Sequence, residues 1–506
     1  MIEIQEYNSK EEVLNYLPKM IQDVFDIDES KAKRQLKAIV DRFIEDIIAI
    51  VEYPYIDKYY RDTYYNFFSK KHISHQRDSI RVSFFSNSVN LDNFVDEEKI
   101  QEVQDAFLGF ITIRPTSVRI IGHSFISPKI LVEKDFVCCL CKERVSIGGV
   151  ELSVYGFPFC SQDNEFITCA ECALLVVTDY FSNKFSDYQR PLPSKINEIL
   201  KIRSYERQLP STGLTDNDIA FVLKELGFGS KIYTKGSSSA EKKLFKRLLY
   251  IYIESGIPVI LTLENKEHAG HAVIAIGRES VKNKKMPKKN FIENKANFSD
   301  LFDKILLMND NCTPYELVDY EKPVLSDLSY TISSFIVPLH NKLHSDASLF
   351  LNHFDAIIEE FSKKDSTRTI LSRVGEKYMV RYFLTTSRSY KNYILKSKGL
   401  SLDFKTVFND QSMPKFIWVA EIIYGNAIVS QNQIVNTVVI LDATESSLSG
   451  NLIIAFNAHN IIWKNLHVER NNFYASNERY SVTEINIGDL YTFDNNLKGS
   501  HTTWYS

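Results

Sequence analysis

Cys169 lies in the stretch ITCAECALLVV, directly after Thr168 and at the head of an apolar series (Ala170, Ala173, Leu174, Val177, Phe181) that recurs at helical spacing. Threonine is a favoured helix-capping residue, so the pattern predicts a helix beginning at Thr168 with Cys169 in its first turn. Unpaired amides and the positive end of the helix dipole stabilise a thiolate there, which is expected to lower the thiol pKa and permit nucleophilic attack near neutral pH. Cys172, one turn deeper, is expected to face the packed side. A thiol nucleophile needs an imidazole to take its proton and later protonate the leaving amine, and a third polar group to hold that ring. The stretch EHAGHAVIAIGRE supplies His268 and His271, with His271 at the start of an apolar run that reads as a buried strand. KILLMND then brings Asn309 and Asp310 to the end of another predicted strand, where either could accept a hydrogen bond from the ring nitrogen turned away from the thiol.

The same cysteines admit two plainer readings. Cys138 with Cys141 and Cys169 with Cys172 are CxxC pairs, and four thiolates of that kind can hold a structural zinc. Zinc knuckles occupy tight turns, however, whereas DFVCCLCKERV reads as a strand and ITCAECALLVV as the beginning of a helix. The segment between the pairs also exceeds the usual spacing of about 15 to 20 residues. Alternatively, buried cysteines simply fill space in a core. The ordered set of cysteine, histidine and strand-end acid favours the nucleophile.

These residues need a scaffold, and 506 residues with 44% hydrophobic content are enough for two or three domains. Lysine and arginine number 60 against 64 acids, so the net charge of −4 offers no global attraction to nucleic acid or an anionic membrane. The start, MIEIQEYNSKEE, lacks the basic-then-apolar pattern of a signal peptide, and no stretch approaches the roughly 18 apolar residues of a membrane span. Seven cysteines, six of them within residues 138 to 172, do not resemble a secreted disulfide framework. A cytoplasmic protein with reduced thiols is expected.

Residues 9 to 53 read as helical, with Leu36, Ile39, Val40, Phe43, Ile47 and Ile50 at helical spacing until Pro54. The aromatic and basic stretch 59 to 77 has a composition that single-strand nucleic-acid binders use, but in a chain with 27 tyrosines and 33 phenylalanines it reads better as a packed helix face. Short strands are predicted between 80 and 155, then helices from Thr168, from Thr215 and over about 240 to 254. GIPVILTL, GHAVIAIG and KILLMND follow as buried strands, with a lysine-rich surface loop over 280 to 298. After FIVPLH a helix over about 347 to 363 and several apolar strands restart the pattern, and Asp442 reads as a strand-end turn residue. The expected division is 1–134, helical then β-rich; 135–345, carrying the candidate chemistry; and 346–506, α+β.

The order of parts resembles the papain-like cysteine peptidases: a glutamine, TCA with an apolar helix, a GLT-started helix ending in LG, GIPVI, GHAVIAIG and a strand ending in aspartate. It is most similar to the branch containing the bacterial leader-peptide-processing peptidases of bacteriocin exporters, over about residues 155 to 340. Gln162 lies seven residues before Cys169, and Ala170-Glu171 stands where those peptidases favour Gly-Pro. The resemblance implies an α+β fold whose papain-like central domain packs a cysteine-bearing helix on an antiparallel sheet carrying His and Asp. It implies Cys169 as nucleophile, His271 as general base, Asp310 as the residue orienting it and Gln162 as a side-chain donor to the oxyanion hole. The expected function is a cytosolic cysteine peptidase cleaving peptide or isopeptide bonds through an acyl-enzyme, without cofactor or metal. Its partners would be a protein or peptide substrate and a possible regulatory protein, with no nucleic acid and no membrane. The alternative is a catalytically inactive papain-like module that binds a peptide or partner protein; a zinc-stabilised interaction protein is the third reading.

Overall fold

The computed structural model describes residues 3–499 apart from 87–88, 117, 204–208, 210–212, 268–269, 282–283, 286–294, 312, 364–369, 371–376, 425–427, 430–432, 447–451 and 465–479. It is a mixed helix and strand protein built on three large sheets in which, with one exception, neighbouring strands run antiparallel. His268 and most of the lysine-rich 280–298 stretch lie outside the described residues.

The first sheet takes its strands in the order Glu3–Tyr7, Ile47–Tyr55, Ser79–Ser86, Phe107–Ile113, Ser124–Ile126, Val150–Phe159 and Cys141–Ile147. The second has the order Glu316–Asp319, Lys304–Met308, His271–Glu279, Val259–Glu264, Thr331–His340 and Phe228–Thr234. The third runs Lys295–Asn297, Tyr378–Thr386, Phe416–Tyr424, Thr437–Asp442, Leu452–Asn457, Asn460–Lys464 and Tyr480–Glu484, with the first pair parallel.

Sheet membership crosses the sequence boundaries at 134 and 345. Cys141–Phe159 completes the first sheet, Lys295–Asn297 joins the third, and Phe136–Cys138 pairs both with His271–Glu279 and with Lys498–Gly499 near the other end of the chain. That crossing requires Gly277: a Cβ there would stand 2.2 Å from the carbonyl oxygen of Val137. One hydrophobic core runs through all three sheets, and a second, smaller one lies under Phe383, Tyr390, Phe404 and Phe456.

The helix Cys169–Lys184 begins where the sequence places its start, and Asp216–Glu225, Ser239–Glu254 and Ala347–Lys363 both begin and end close to their expected bounds. Thr215 and Asp218 form a reciprocal capping box, as do Ser238 and Glu241. The helical reading of 9 to 53 is right only in part. Helices span Lys10–Phe25 and Glu29–Val40, but Ile47–Tyr55 is a strand held between two others. Ile47 and Ile50 sit in a run of β-branched residues buried on both faces, where spacing alone does not separate strand from helix. Tyr59 and Tyr60 are buried on the Lys58–Asn66 helix, and Tyr59 stacks on His123 with ring centroids 4.4 Å apart. Asp442 turns its carboxylate back on the amide and hydroxyl of Thr444, both at 2.7 Å.

Candidate active site

Cys169 is the first residue of the helix that packs on the His271–Glu279 strand and the end of the first sheet. Thr168 occupies the capping position with extended backbone, but its hydroxyl donates to the Glu171 carboxylate and caps no amide. The loop before it is fixed by Asp163, whose Oδ1 accepts the amides of Glu165, Phe166 and Ile167 at 2.8 to 2.9 Å. Asn164 completes the bend in the left-handed region at φ 60°. Gln162 directly precedes this fixed loop.

His271 is buried at the head of its strand, and the next residue, Ala272, points its amide at the Cys169 sulfur. The ring Nε2 lies 2.9 Å from Asn309 Oδ1. The Asn309 amide has one orientation, because its Nδ2 donates to Glu316 Oε2 at 3.1 Å and its Oδ1 accepts the Asn311 amide at 3.1 Å. The shorter contact assigns Nε2–H as the donor to Oδ1, and in the neutral ring Nδ1 then carries the lone pair and can accept a proton. Asp310 Oδ1 is 3.4 Å from the same Nε2 and forms no hydrogen bond with it. Sequence reasoning left Asn309 and Asp310 as alternatives, and the hydrogen bond goes to Asn309. Gln162 Nε2 donates to Asn311 Oδ1, and Asn311 Nδ2 stands 3.4 Å from His271 Nε2, so Gln162, His271 and residues 309–311 form one polar cluster.

Two groups that the sequence offered no reason to single out hold this cluster. Arg42, just beyond the Glu29–Val40 helix, donates to Thr313 Oγ1 at 2.7 Å and to the carbonyls of Pro314 and Tyr315 at 2.6 Å. The Tyr315 hydroxyl bridges the Ile126 carbonyl at 2.7 Å and the Phe157 amide at 2.9 Å. Both tie the 309–315 turn to the N-terminal region. Such contacts, across 150 residues or more of sequence, have no local signature.

The electrostatics differ from the expectation at Cys169. Burial and, next, the nearby Asp310 charge push its thiol up to about 11, against the opposing pull of the Ala272 and Ala170 amides. Two backbone amides do not offset removal from water together with a neighbouring carboxylate. The site thus starts from a neutral thiol rather than a thiolate. Asp310 is itself pushed up to about 6 by burial, despite the opposing charges of His271, Arg119 and Arg114.

Among the described residues the cysteines do not converge as zinc ligands. Cys172 lies against Cys160, Cys138 belongs to the second sheet and Cys141 to the first; burial raises the pKa of Cys138, Cys141 and Cys172 well above the ordinary thiol range. Among the described residues no three His, Cys, Asp or Glu side chains converge as metal ligands, and no helix is long and apolar enough to cross a membrane.

No protein-family model matches the chain, and no curated protein matches it in sequence.

Proposed function

We propose that the protein is a thiol hydrolase of papain-like layout that cleaves peptide or isopeptide bonds at Cys169. The observation that carries this reading is the contact of His271 Nε2 with Asn309 Oδ1 at 2.9 Å. Asn309 Oδ1 holds Nε2–H, so Nδ1 is the basic nitrogen on a residue whose neighbour, Ala272, already touches the Cys169 sulfur. The layout is supported by a cysteine at the N-terminus of a helix packed on an antiparallel sheet with histidine at the head of one strand and Asn309 and Asp310 just beyond the next.

In the proposed reaction the thiol proton moves to His271 Nδ1 as sulfur bonds to the substrate carbonyl carbon. The Cys169 amide at the helix N-terminus, with Gln162 as the side-chain donor, stabilises the oxyanion. The carbon–nitrogen bond breaks as His271 returns its proton to the leaving amine. Water, deprotonated by the same nitrogen, then hydrolyses the thioester and restores the thiol. Because the resting thiol is neutral, His271 acts here as a general base rather than as half of a standing ion pair.

The binding-module alternative is favoured by one observation, the high pKa of the Cys169 thiol. Incubation of the wild type and Cys169→Ala with a diverse peptide mixture, read by mass spectrometry, separates the two. Cleavage by the wild type alone supports the hydrolase. Peptide retention that is equal in both proteins, with no cleavage, overturns it.

A further inference from the structure

The thiol-hydrolase reading leaves one feature of the site unused. Asp310 is 7% exposed, and neither of its carboxylate oxygens accepts a hydrogen bond. A buried carboxylate without donors is costly, because it loses hydration and gains nothing in return. Its charged neighbours do not remedy this. Arg114 donates to Ser161 O at 2.5 Å and Thr116 Oγ1 at 3.2 Å and not to Asp310, Arg119 acts only through its charge, and His271, whose Nε2 stands 3.4 Å from Asp310 Oδ1, is hydrogen-bonded to Asn309 instead. Nor is Asp310 needed to orient the imidazole.

Asp310 lines a small cavity together with Cys169, Cys172, Cys160 and the apolar side chains of Met308 and Val176. The free space holds one group about the size of a water molecule, so a lysine or arginine side chain does not fit without rearrangement. An ammonium on a short tether does. An α-amino group stands two bonds from the carbonyl carbon of its own residue, so an ammonium against Asp310 would bring that carbonyl towards Cys169.

We infer that Asp310 is a specificity residue that receives the free α-amino group of the substrate, so that the enzyme acts on peptides at their N-terminal residue. The inference rests on the thiol-hydrolase reading. In this mode the ammonium stays protonated, the Cys169 sulfur bonds to the carbonyl carbon of the first residue, and the bond to the second residue's nitrogen breaks. The thiol proton leaves, through His271, on the second residue's new amino group. A small first residue is preferred, since the cavity walls beside Asp310 are closed by Met308 and Val176.

The test compares alanyl chloromethyl ketone with its N-acetyl form as alkylators of Cys169, mapped by mass spectrometry at pH about 7. These reagents report the site without requiring the natural substrate. Labelling at least tenfold faster with the free amine, with the ratio falling towards one in Asp310→Asn, is the expected result. The ratio is taken within each protein, so a change in intrinsic thiol reactivity cancels. An equal or faster rate with the acetylated reagent in the wild type, a ratio unchanged in Asp310→Asn, or no labelling by either reagent overturns the inference. Failure of the hydrolase reading shows differently: Cys169 would label with both reagents at the same rate in the wild type and in His271→Ala.

Discussion

Two buried carboxylates, Glu254 beside Arg278 and Asp310 beside His271, lie near opposite ends of the His271–Glu279 strand and have opposite fates. Glu254 ends the Ser239–Glu254 helix where the second and third sheets meet. Arg278 and Arg381 both donate to it, Arg381 at 2.8 Å, and Arg381 continues to Glu421 at 3.1 Å and to the Phe493 carbonyl at 2.5 Å. Burial raises the Glu254 pKa, but the two guanidinium groups outweigh it and leave a net lowering. At Asp310 burial wins, and the pKa stands at about 6. A carboxylate that joins sheets is given its donors within the fold. One left without donors beside a thiol and an imidazole is a candidate for work on something that enters from outside.

The comparison can be broken in four ways. If His271 is the general base, His271→Ala lowers turnover by about 10² to 10⁴-fold without loss of fold, the usual range for such a group; kinetics on any cleaved peptide, with circular dichroism as control, checks this. Removing Arg381 leaves Glu254 with Arg278 alone and Glu421 buried without its guanidinium partner, and Arg381→Ala should cost about 3 to 5 kcal/mol in denaturant unfolding. A loss below about 1 kcal/mol would mean that Arg381 is not what satisfies the buried carboxylates at the junction.

Asp310→Asn should act in the other direction. A folded pKa of about 6 against about 3.9 unfolded means that the native state holds this proton more tightly. Its contribution is therefore present below pH about 4 and is lost as pH rises to about 6, a difference of about 3 kcal/mol. Asp310→Asn should flatten that decline, leave the protein at least as stable near neutrality and lower the Cys169 thiol pKa, read from the pH dependence of alkylation. Steepening of the decline would overturn the assignment. The smallest effect is expected at Asn309→Ala, which frees the ring without removing its base; turnover should fall about tenfold, by analogy with groups that orient a ligating imidazole. An unchanged rate would return the orienting role to Asp310.

Much of the scaffold was legible locally. Thr215 with Asp218 and Ser238 with Glu241 are short-range devices that declare their helices, and the runs around Val259, His271 and Lys304 declare strands by composition. The strand Ile47–Tyr55 shows the limit, since the buried, largely β-branched run at 47–51 fits two periods and only the partners Glu3–Tyr7 and Ser79–Ser86 select the strand. The order of Cys169, His271 and residues 309–310 was legible for the same local reason. The state of the thiol was not, because a helix N-terminus argues for a low pKa and burial beside Asp310 produces a high one.

Sequence by itself determined the candidate residue types, their places at helix and strand ends, the start of the Cys169–Lys184 helix and the bounds of the helices at Asp216–Glu225, Ser239–Glu254 and Ala347–Lys363, because capping and periodicity act over a few residues. Tertiary structure alone decided that Asn309 rather than Asp310 bonds His271, that Arg42 and Tyr315 anchor the turn from the N-terminal region, and that Asp310 is left without a donor. Those outcomes depend on burial and on contacts between distant segments, which no short window of sequence contains.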